Sequence, residues 1–246
     1  MDKMGGFVDF NPDKDIPSLE RKVLFVTGGT AGLGSVTVRA LAKHKPEHIY
    51  FSGRNKKAGE SLIAEIRQTI PSCALTFLEM DLSSLASVKA AAQKFAHGRL
   101  DVLICNAGIM AKPPALSKDG YEIQFATNHI GHAMLIQQLL PAMLKTAAIP
   151  GADVRIVCLS SDGWASHPRG GIKFSELKTV QEGFYGAGIR YGQSKLANVV
   201  YAAELARRYP SITTVSIHPG VINTGLVTSL PYMRKWPLSG LQSESE

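Results

Sequence analysis

Cysteine is scarce in this chain, and its spacing excludes most cysteine chemistry. Only Cys73, Cys105 and Cys158 occur in 246 residues, and none stands in a C-x-x-C pair. That pattern offers neither a zinc site nor a dithiol redox motif. Cys105 and Cys158 fall in apolar runs, where a free thiol behaves as a small apolar side chain. This fits a reducing, cytoplasmic compartment. No apolar run reaches the roughly 18 residues of a membrane span. The longest candidate, Ala133–Leu144, is broken by Gln137, Gln138 and Pro141. The opening residues, Met1-Asp2-Lys3-Met4-Gly5, lack the apolar core of a secretory leader. A soluble protein is expected, with peripheral membrane contact left open. Blocks of five or six like charges are also missing, although the formal net charge is +7. Dispersed Lys and Arg suit an anionic cofactor and a solvated surface better than they suit nucleic acid. No histidine spacing supports a metal, and no repeat of solenoid period is present.

What is present begins at Lys22. Lys22–Thr27 (KVLFVT) is a short apolar run rich in branched residues, the pattern of a strand buried on both faces. Gly28–Gly34 (GGTAGLG) interrupts it, and from Leu33 the apolar residues follow one side of a helix. A strand, a glycine turn and a helix start form a dinucleotide-binding unit. The opening turn of the helix has unpaired N–H groups and the positive end of its dipole, so an anion belongs there. The glycines read G-x-x-x-G-x-G. The commoner G-x-G-x-x-G fails because Ala31 stands at its second glycine, and a P-loop fails because Ser35-Val36 replaces Lys-Ser/Thr.

The length suits one α/β domain. Residues 1–20 are polar, carry Pro12 and Pro17, and are expected to form a loose arm. Strands are then predicted at His48–Ser52, Ala74–Met80, Asp101–Cys105, Val154–Leu159 and Ile212–His218. Helices are predicted at Lys56–Ile70, at Ser84–Phe95 with Ser83 or Ser84 as cap, over most of Gly120–Leu144, and at Gly188–Arg208. The alternation predicts a Rossmann-type, doubly wound parallel sheet with helices on both faces, over residues 21–225. Ligands of such sheets sit beyond the carboxyl ends of the strands. Those ends carry small or polar residues: Thr27-Gly28, Ser52-Gly53-Arg54, Asp81-Leu82, Asn106-Ala107-Gly108, Ser160-Ser161 and His218-Pro219-Gly220.

These residues, with Asn128, Tyr191-x-x-x-Lys195 and Thr224, resemble the short-chain dehydrogenase/reductase family over nearly the whole chain. Tyr191-Gly-Gln-Ser-Lys-Leu-Ala-Asn198 is similar to its retinol-dehydrogenase-like branch. The resemblance implies an NADP(H)-dependent oxidoreductase that interconverts a ketone or aldehyde and an alcohol on an apolar small molecule. Tyr191 and Lys195, four apart on a helix, share a face. In this family Tyr191 would be the proton donor or acceptor, its pKa lowered by the nearby ammonium and the oxidised nicotinamide. Lys195 would also hold the ribose hydroxyls. Ser161, rather than Ser160, would hydrogen-bond the substrate oxygen, and Asn128 would hold a relay water. His129, His132 and His218 are read as packing residues.

The implied cofactor contacts are Thr27, Gly28, Thr30, Ala31, Gly32, Leu33 and Gly34 at the turn. Asp81 and Leu82 would meet the adenine, and Asn106, Ala107 and Gly108 the adenosine side. Tyr191 and Lys195 would meet the ribose, with Pro219, Gly220, Ile222 and Thr224 at the nicotinamide. An NAD site carries an acid after the second strand. Here Arg54 follows, with Lys56 and Lys57 behind it and no carboxylate, so a 2′-phosphate is favoured.

The chain departs from the family pattern in three places. Cys105 replaces a usual asparagine, which is read as packing. The segment Asp162–Gly188 is longer than in compact members, and its Trp164, His167, Phe174, Phe184 and Tyr185 either line an apolar substrate or anchor a surface loop. After Thr224 only a short tail, 226–246, follows. Either a substrate lid is truncated or the sheet stops at six strands, leaving Ile212–His218 as an edge. A catalytically weak NADP(H)-binding sensor or interaction partner is therefore the alternative reading. Family members often pair through the helices at Gly120–Leu144 and Gly188–Arg208, which makes a homodimer an expectation.

Overall fold

The computed structural model describes residues 9–182 and 186–220. The expectations for Phe184, Tyr185, Ile222, Thr224 and the tail lie outside them. Six parallel strands form one sheet: β1 (Val23–Val26), β2 (His48–Gly53), β3 (Leu75–Glu79), β4 (Val102–Cys105), β5 (Arg155–Leu159) and β6 (Thr213–Ile217). Their order is β3-β2-β1-β4-β5-β6. The chain thus reverses direction of travel across the sheet between β1 and β4, the switch point where such folds bind ligands.

The helices are α1 (Pro12–Asp15), α2 (Gly32–Ala42), α3 (Lys56–Thr69), α4 (Leu85–Ala92), α5 (Ile123–Phe125), α6 (Gly131–Ala147) and α7 (Ala187–Arg208). A π-helical turn, Ala126–Ile130, joins α5 to α6, and 3₁₀ turns occupy Asp162–Ser166 and Phe174–Glu176. Alternate residues of each strand face opposite layers. Val23 and Phe25 join Leu103, Ile156, Leu135 and Leu205 in one core, on the side of α4, α6 and α7. Leu24 and Val26 join Ile49, Phe51, Val38 and Leu62 in the other, on the side of α2 and α3. Both faces are therefore covered, as the unbroken apolar runs require. Cys105 lies in the first core, in register with Cys158 on β5, which is the packing role expected of it.

Several boundaries differ from those predicted. The arm is not loose where it is described. Asn11 caps α1 by accepting the Asp13 N–H at 2.9 Å, Lys43 pairs with Asp13 at 2.7 Å, and Leu19 is buried. Helix α3 stops at Thr69, because Pro71 bars its predecessor from helical geometry. Ser84, not Ser83, caps α4 by accepting the Ser87 N–H. That helix ends at Ala92, and Lys94 and Phe95 turn with i→i+3 bonds instead. The third helical region starts at Ile123, after a turn in which Gly120 takes φ +78°. Strand β6 is the outermost strand on its side among the described residues, with Val215 and Ile217 exposed.

Candidate active site

At the end of β1 the chain must turn sharply and let an anion approach. Gly28 does so at φ +65°, a conformation that costs other residues energy. Gly34, in the first turn of α2, is so close that a Cβ there would lie 2.2 Å from the Gly28 carbonyl oxygen. Ala31 occupies the cap position of α2 and offers no side-chain bond to its opening N–H groups. A bare glycine cradle and uncapped amides fit a pyrophosphate. The neighbouring strand locks the turn in place. Asn106 Nδ2 donates to the Thr27 carbonyl at 2.8 Å, and the Ala107 N–H donates to Thr27 Oγ1 at 3.0 Å.

The rim of this cradle is completed by β2, β3 and β6. A Cβ on Gly53 would stand 2.8 Å from Thr30 Oγ1, so the tip of β2 abuts the glycine turn and sets exposed Arg54 beside it. Asn55, the next residue, caps α3 by accepting the Ala58 N–H at 3.0 Å. Asp81 Oδ1 accepts from the Ser83 N–H and hydroxyl, which holds its carboxylate after β3. Gly131 of α6 presses on the Leu82 carbonyl. After β6, His218 Nε2 lies 3.1 Å from Asp162 Oδ2, which brings Pro219-Gly220 toward the segment that begins at Ser161.

Tyr191, Lys195, Ser161 and Asn128 meet at the ends of β4 and β5. Tyr191 and Lys195 lie on one face of α7 and are both buried. Ser161 and Tyr191 both pack against Gly163, and Ser161 Oγ accepts the Gly163 N–H at 3.1 Å. Ser160 is turned away, and its hydroxyl donates to the Lys195 carbonyl at 2.9 Å. Lys195 Nζ donates to the Leu159 carbonyl at 3.0 Å and stands 5.5 Å from the Tyr191 ring centroid. A Cβ on Gly108 would lie 3.3 Å from Asn128 Oδ1 and 3.6 Å from Lys195 Nζ, so this backbone runs bare past both. Asn128 is fully buried rather than facing solvent. Its Oδ1 accepts the Ile109 N–H at 2.8 Å, and its Nδ2 donates to the Ile109 carbonyl and to Ser194 Oγ, both at 2.9 Å. Both amide hydrogens are therefore committed, and one lone pair of Oδ1 remains for a water.

Burial dominates the electrostatics of this site. Burial pushes the Tyr191 phenol above its ordinary pKa, although Ser161 pulls the other way. Burial brings Lys195 itself down to about 8, against an opposing influence from Cys158.

The chain belongs to the short-chain dehydrogenase/reductase family. The family model for short chain dehydrogenases matches residues 22–170. An uncharacterised oxidoreductase of Schizosaccharomyces pombe is 40% identical over 223 residues, spanning 88% of this chain and 65% of that protein. Human retinol dehydrogenase 11 is 37% identical over 220 residues, spanning 88% of this chain and 66% of that protein. The chain thus spans about two thirds of the length of these relatives and falls in the retinol-dehydrogenase-like branch. The solved structure of an uncharacterised protein from Mycobacterium paratuberculosis is 33% identical and superposes with a TM-score of 0.71, covering 88% of this chain and 74% of that one.

Within this short-chain dehydrogenase/reductase site, two residues gain roles that the sequence did not indicate. His132 is a buried link and not only a packing residue. Its Nδ1 lies 3.0 Å from the Asn128 carbonyl, which can only accept, so Nδ1 carries the hydrogen. Nε2 then accepts from Thr27 Oγ1 at 2.9 Å. Asn198 donates to the same Asn128 carbonyl at 3.2 Å and to Leu159 O at 3.0 Å. The only sequence signal is spacing, with His132 four residues after Asn128 and Asn198 three after Lys195. The inserted segment divides. Trp164 and His167 stack with rings 12° from parallel. Phe174, 75% exposed, lines an apolar groove of about 550 Å³ with Tyr121, Phe125 and Tyr201. That groove lies on a different face of α7 from Tyr191, so Phe174 does not line this site.

Proposed function

We propose that this chain is an NADP(H)-dependent oxidoreductase that interconverts a ketone or aldehyde and an alcohol on an apolar small molecule. The observation that supports this best is the convergence of Ser161, Tyr191 and Lys195 at the carboxyl ends of the strands, beside a glycine cradle. The likeness to a retinol dehydrogenase supports an apolar alcohol or carbonyl substrate. NADP(H), when bound, supplies or accepts the hydride. Residues Thr27–Gly34 would hold its pyrophosphate, and Arg54 its 2′-phosphate, with no carboxylate at the tip of β2 to repel it. Asp81 and Leu82 would hold the adenine, and Asn106–Gly108 the adenosine side. Lys195 and Tyr191 would hold the ribose, and Pro219-Gly220 with Ile222 and Thr224 the nicotinamide end. The three free, buried thiols support a reducing compartment such as the cytoplasm. Among the described residues, no helix is long and apolar enough to cross a membrane.

Reduction is the direction that an NADPH site in a reducing cell favours. A phenol whose pKa is raised stays protonated near neutrality, ready to donate. Tyr191 passes its proton to the carbonyl oxygen as charge gathers there, and the Ser161 hydroxyl stabilises the same oxygen. The Gly163 N–H keeps Ser161 Oγ oriented while it does so. Lys195, held near 8, is poised to return the lost proton. Asn128 fixes the bare Gly108–Ile109 backbone beside it and offers the relay water one lone pair. NADPH oxidation over a panel of ketones and aldehydes tests this reading. Tyr191→Phe is expected to lower turnover by at least about 100-fold, the scale of one general acid, with NADPH affinity kept within a few-fold. Turnover retained in that variant would overturn the mechanism.

A further inference from the structure

We infer that the buried Arg190–Glu122 pair is a positioning device for the substrate-side wall, pinning the connections after β4 and β5 to α7 one residue before Tyr191. The inference rests on the reading of the site given above. It starts from where the connections lie. Residues 106–122 follow β4 and residues 160–182 follow β5, so both leave the carboxyl edge of the sheet, where the ligand side is.

One guanidinium gathers both connections there. Arg190 Nη2 donates to the Lys112 carbonyl at 2.8 Å, and Nη1 donates to the Gln181 carbonyl at 3.3 Å. Nε faces Glu122 Oε1 at 3.3 Å, with side-chain exposures of only 3% and 0%. Glu122 extends the network. Its Oε2 accepts the Phe125 N–H at 2.7 Å, and its own N–H donates to the Leu177 carbonyl at 2.8 Å. Gln193, on the same helix, doubles the link to the inserted segment. It donates to Gln181 Oε1 at 3.1 Å and accepts the Lys173 N–H at 2.8 Å. Thus Arg190 and Gln193, which flank Tyr191 along α7, tie both connections to that helix.

Stability alone does not call for an ion pair here. Desolvating two charges is costly, and a well-packed apolar pair often holds a fold equally well. A planar fork with five donors supplies a single register for several carbonyls at once, which apolar contact cannot. Most of the cofactor cradle stands apart from this network, since the glycine turn, Arg54 and Asp81 follow β1, β2 and β3, and Asn106 and Ala107 are held separately by Thr27. The pair should therefore set how substrate is held and leave the cofactor alone.

The test compares the full chain with Arg190→Met/Glu122→Leu, which removes both charges, and with Arg190→Lys, which keeps the charge and loses the fork. For a carbonyl that the wild type reduces, the double variant should raise KM at least tenfold while kcat changes less than threefold. Its NADPH dissociation constant should stay within twofold and its melting temperature within a few degrees. Arg190→Lys should show the same split, more weakly, and decides the matter if the double variant does not fold. Wild-type KM in a folded variant, or an equal loss of NADPH affinity, would overturn the inference. If the wild type reduces no carbonyl, the functional reading falls, and amide hydrogen exchange then tests the positioning separately. Faster exchange confined to residues 109–122 and 172–182 supports it; unchanged exchange, or acceleration throughout β1–β3, overturns it.

Discussion

Arg54 shows how much one side chain can decide. It stands exposed beyond the tip of β2, next to a turn whose Thr30 touches Gly53. A guanidinium there can fork onto a phosphate, and it has nothing comparable to grip on an unphosphorylated ribose. Arg54→Ala should therefore weaken NADPH binding by roughly 1.5–3 kcal/mol, the scale of a charged hydrogen bond, and change NADH binding less than twofold. Titration calorimetry with both cofactors reads the difference, and equal losses would show that Arg54 makes no 2′-phosphate contact. Arg54 was legible because its type and its place after a strand suffice. Asn128 was only half legible. Its position was clear from the motif, but its burial and its double bond to Ile109 depend on a loop from another strand.

The element with the least tolerance is the opening of α2. Gly34 lies against the Gly28 carbonyl and also against Asn106 Nδ2, which a Cβ would approach to 2.6 Å. Alanine is the better helix former, yet here it must push the cradle open. Gly34→Ala is expected to cost about 1–3 kcal/mol of stability, as overpacking does, and to weaken NADPH more than tenfold. Urea unfolding and a cofactor titration check both parts, and an alanine variant with wild-type affinity would mean that the turn yields freely. The glycine spacing pointed to this close approach. The π-helical turn Ala126–Ile130 left no such signature, since its residues also suit an ordinary helix. It arises where Asn128 must face Ile109 while His132 and Asn198 take its carbonyl.

At the scale of the whole molecule, those buried links make stability depend on pH. Burial holds His132 near 4, against an ordinary 6.5, and it carries Thr27 and Asn128 as neutral partners. His48 is also lowered to about 4, by burial and by His97. Between 6.5 and 4 the unfolded chain takes up protons that the folded chain refuses. Stability is therefore level above 6.5 and falls as pH drops toward 4, by at most about 1.4 kcal/mol per pH unit for each group. From pH 6.5 to 5, His132 alone should remove about 1.5 kcal/mol, since the slope is only half its limit at pH 6.5. Urea unfolding at several pH values, compared between the wild type and His132→Gln, isolates this contribution. Identical slopes in the two proteins would show that His132 does not carry it.

The linear order of the chain was enough to determine the parallel α/β layers, the glycine cradle at Gly28–Gly34, the basic tip at Arg54 and the Tyr191/Lys195 face. Each of these rests on periodicity, on backbone freedom or on neighbours within one turn of a helix, all of which are local. Tertiary structure alone decided that Tyr191 is raised rather than lowered, because burial depends on every surrounding layer. It alone tied down Leu19 in the supposed arm and turned Phe174 away from the site. It also gave Arg190 three carbonyl and carboxylate neighbours from two connections, since contacts between residues 78 positions apart leave no trace in local spacing.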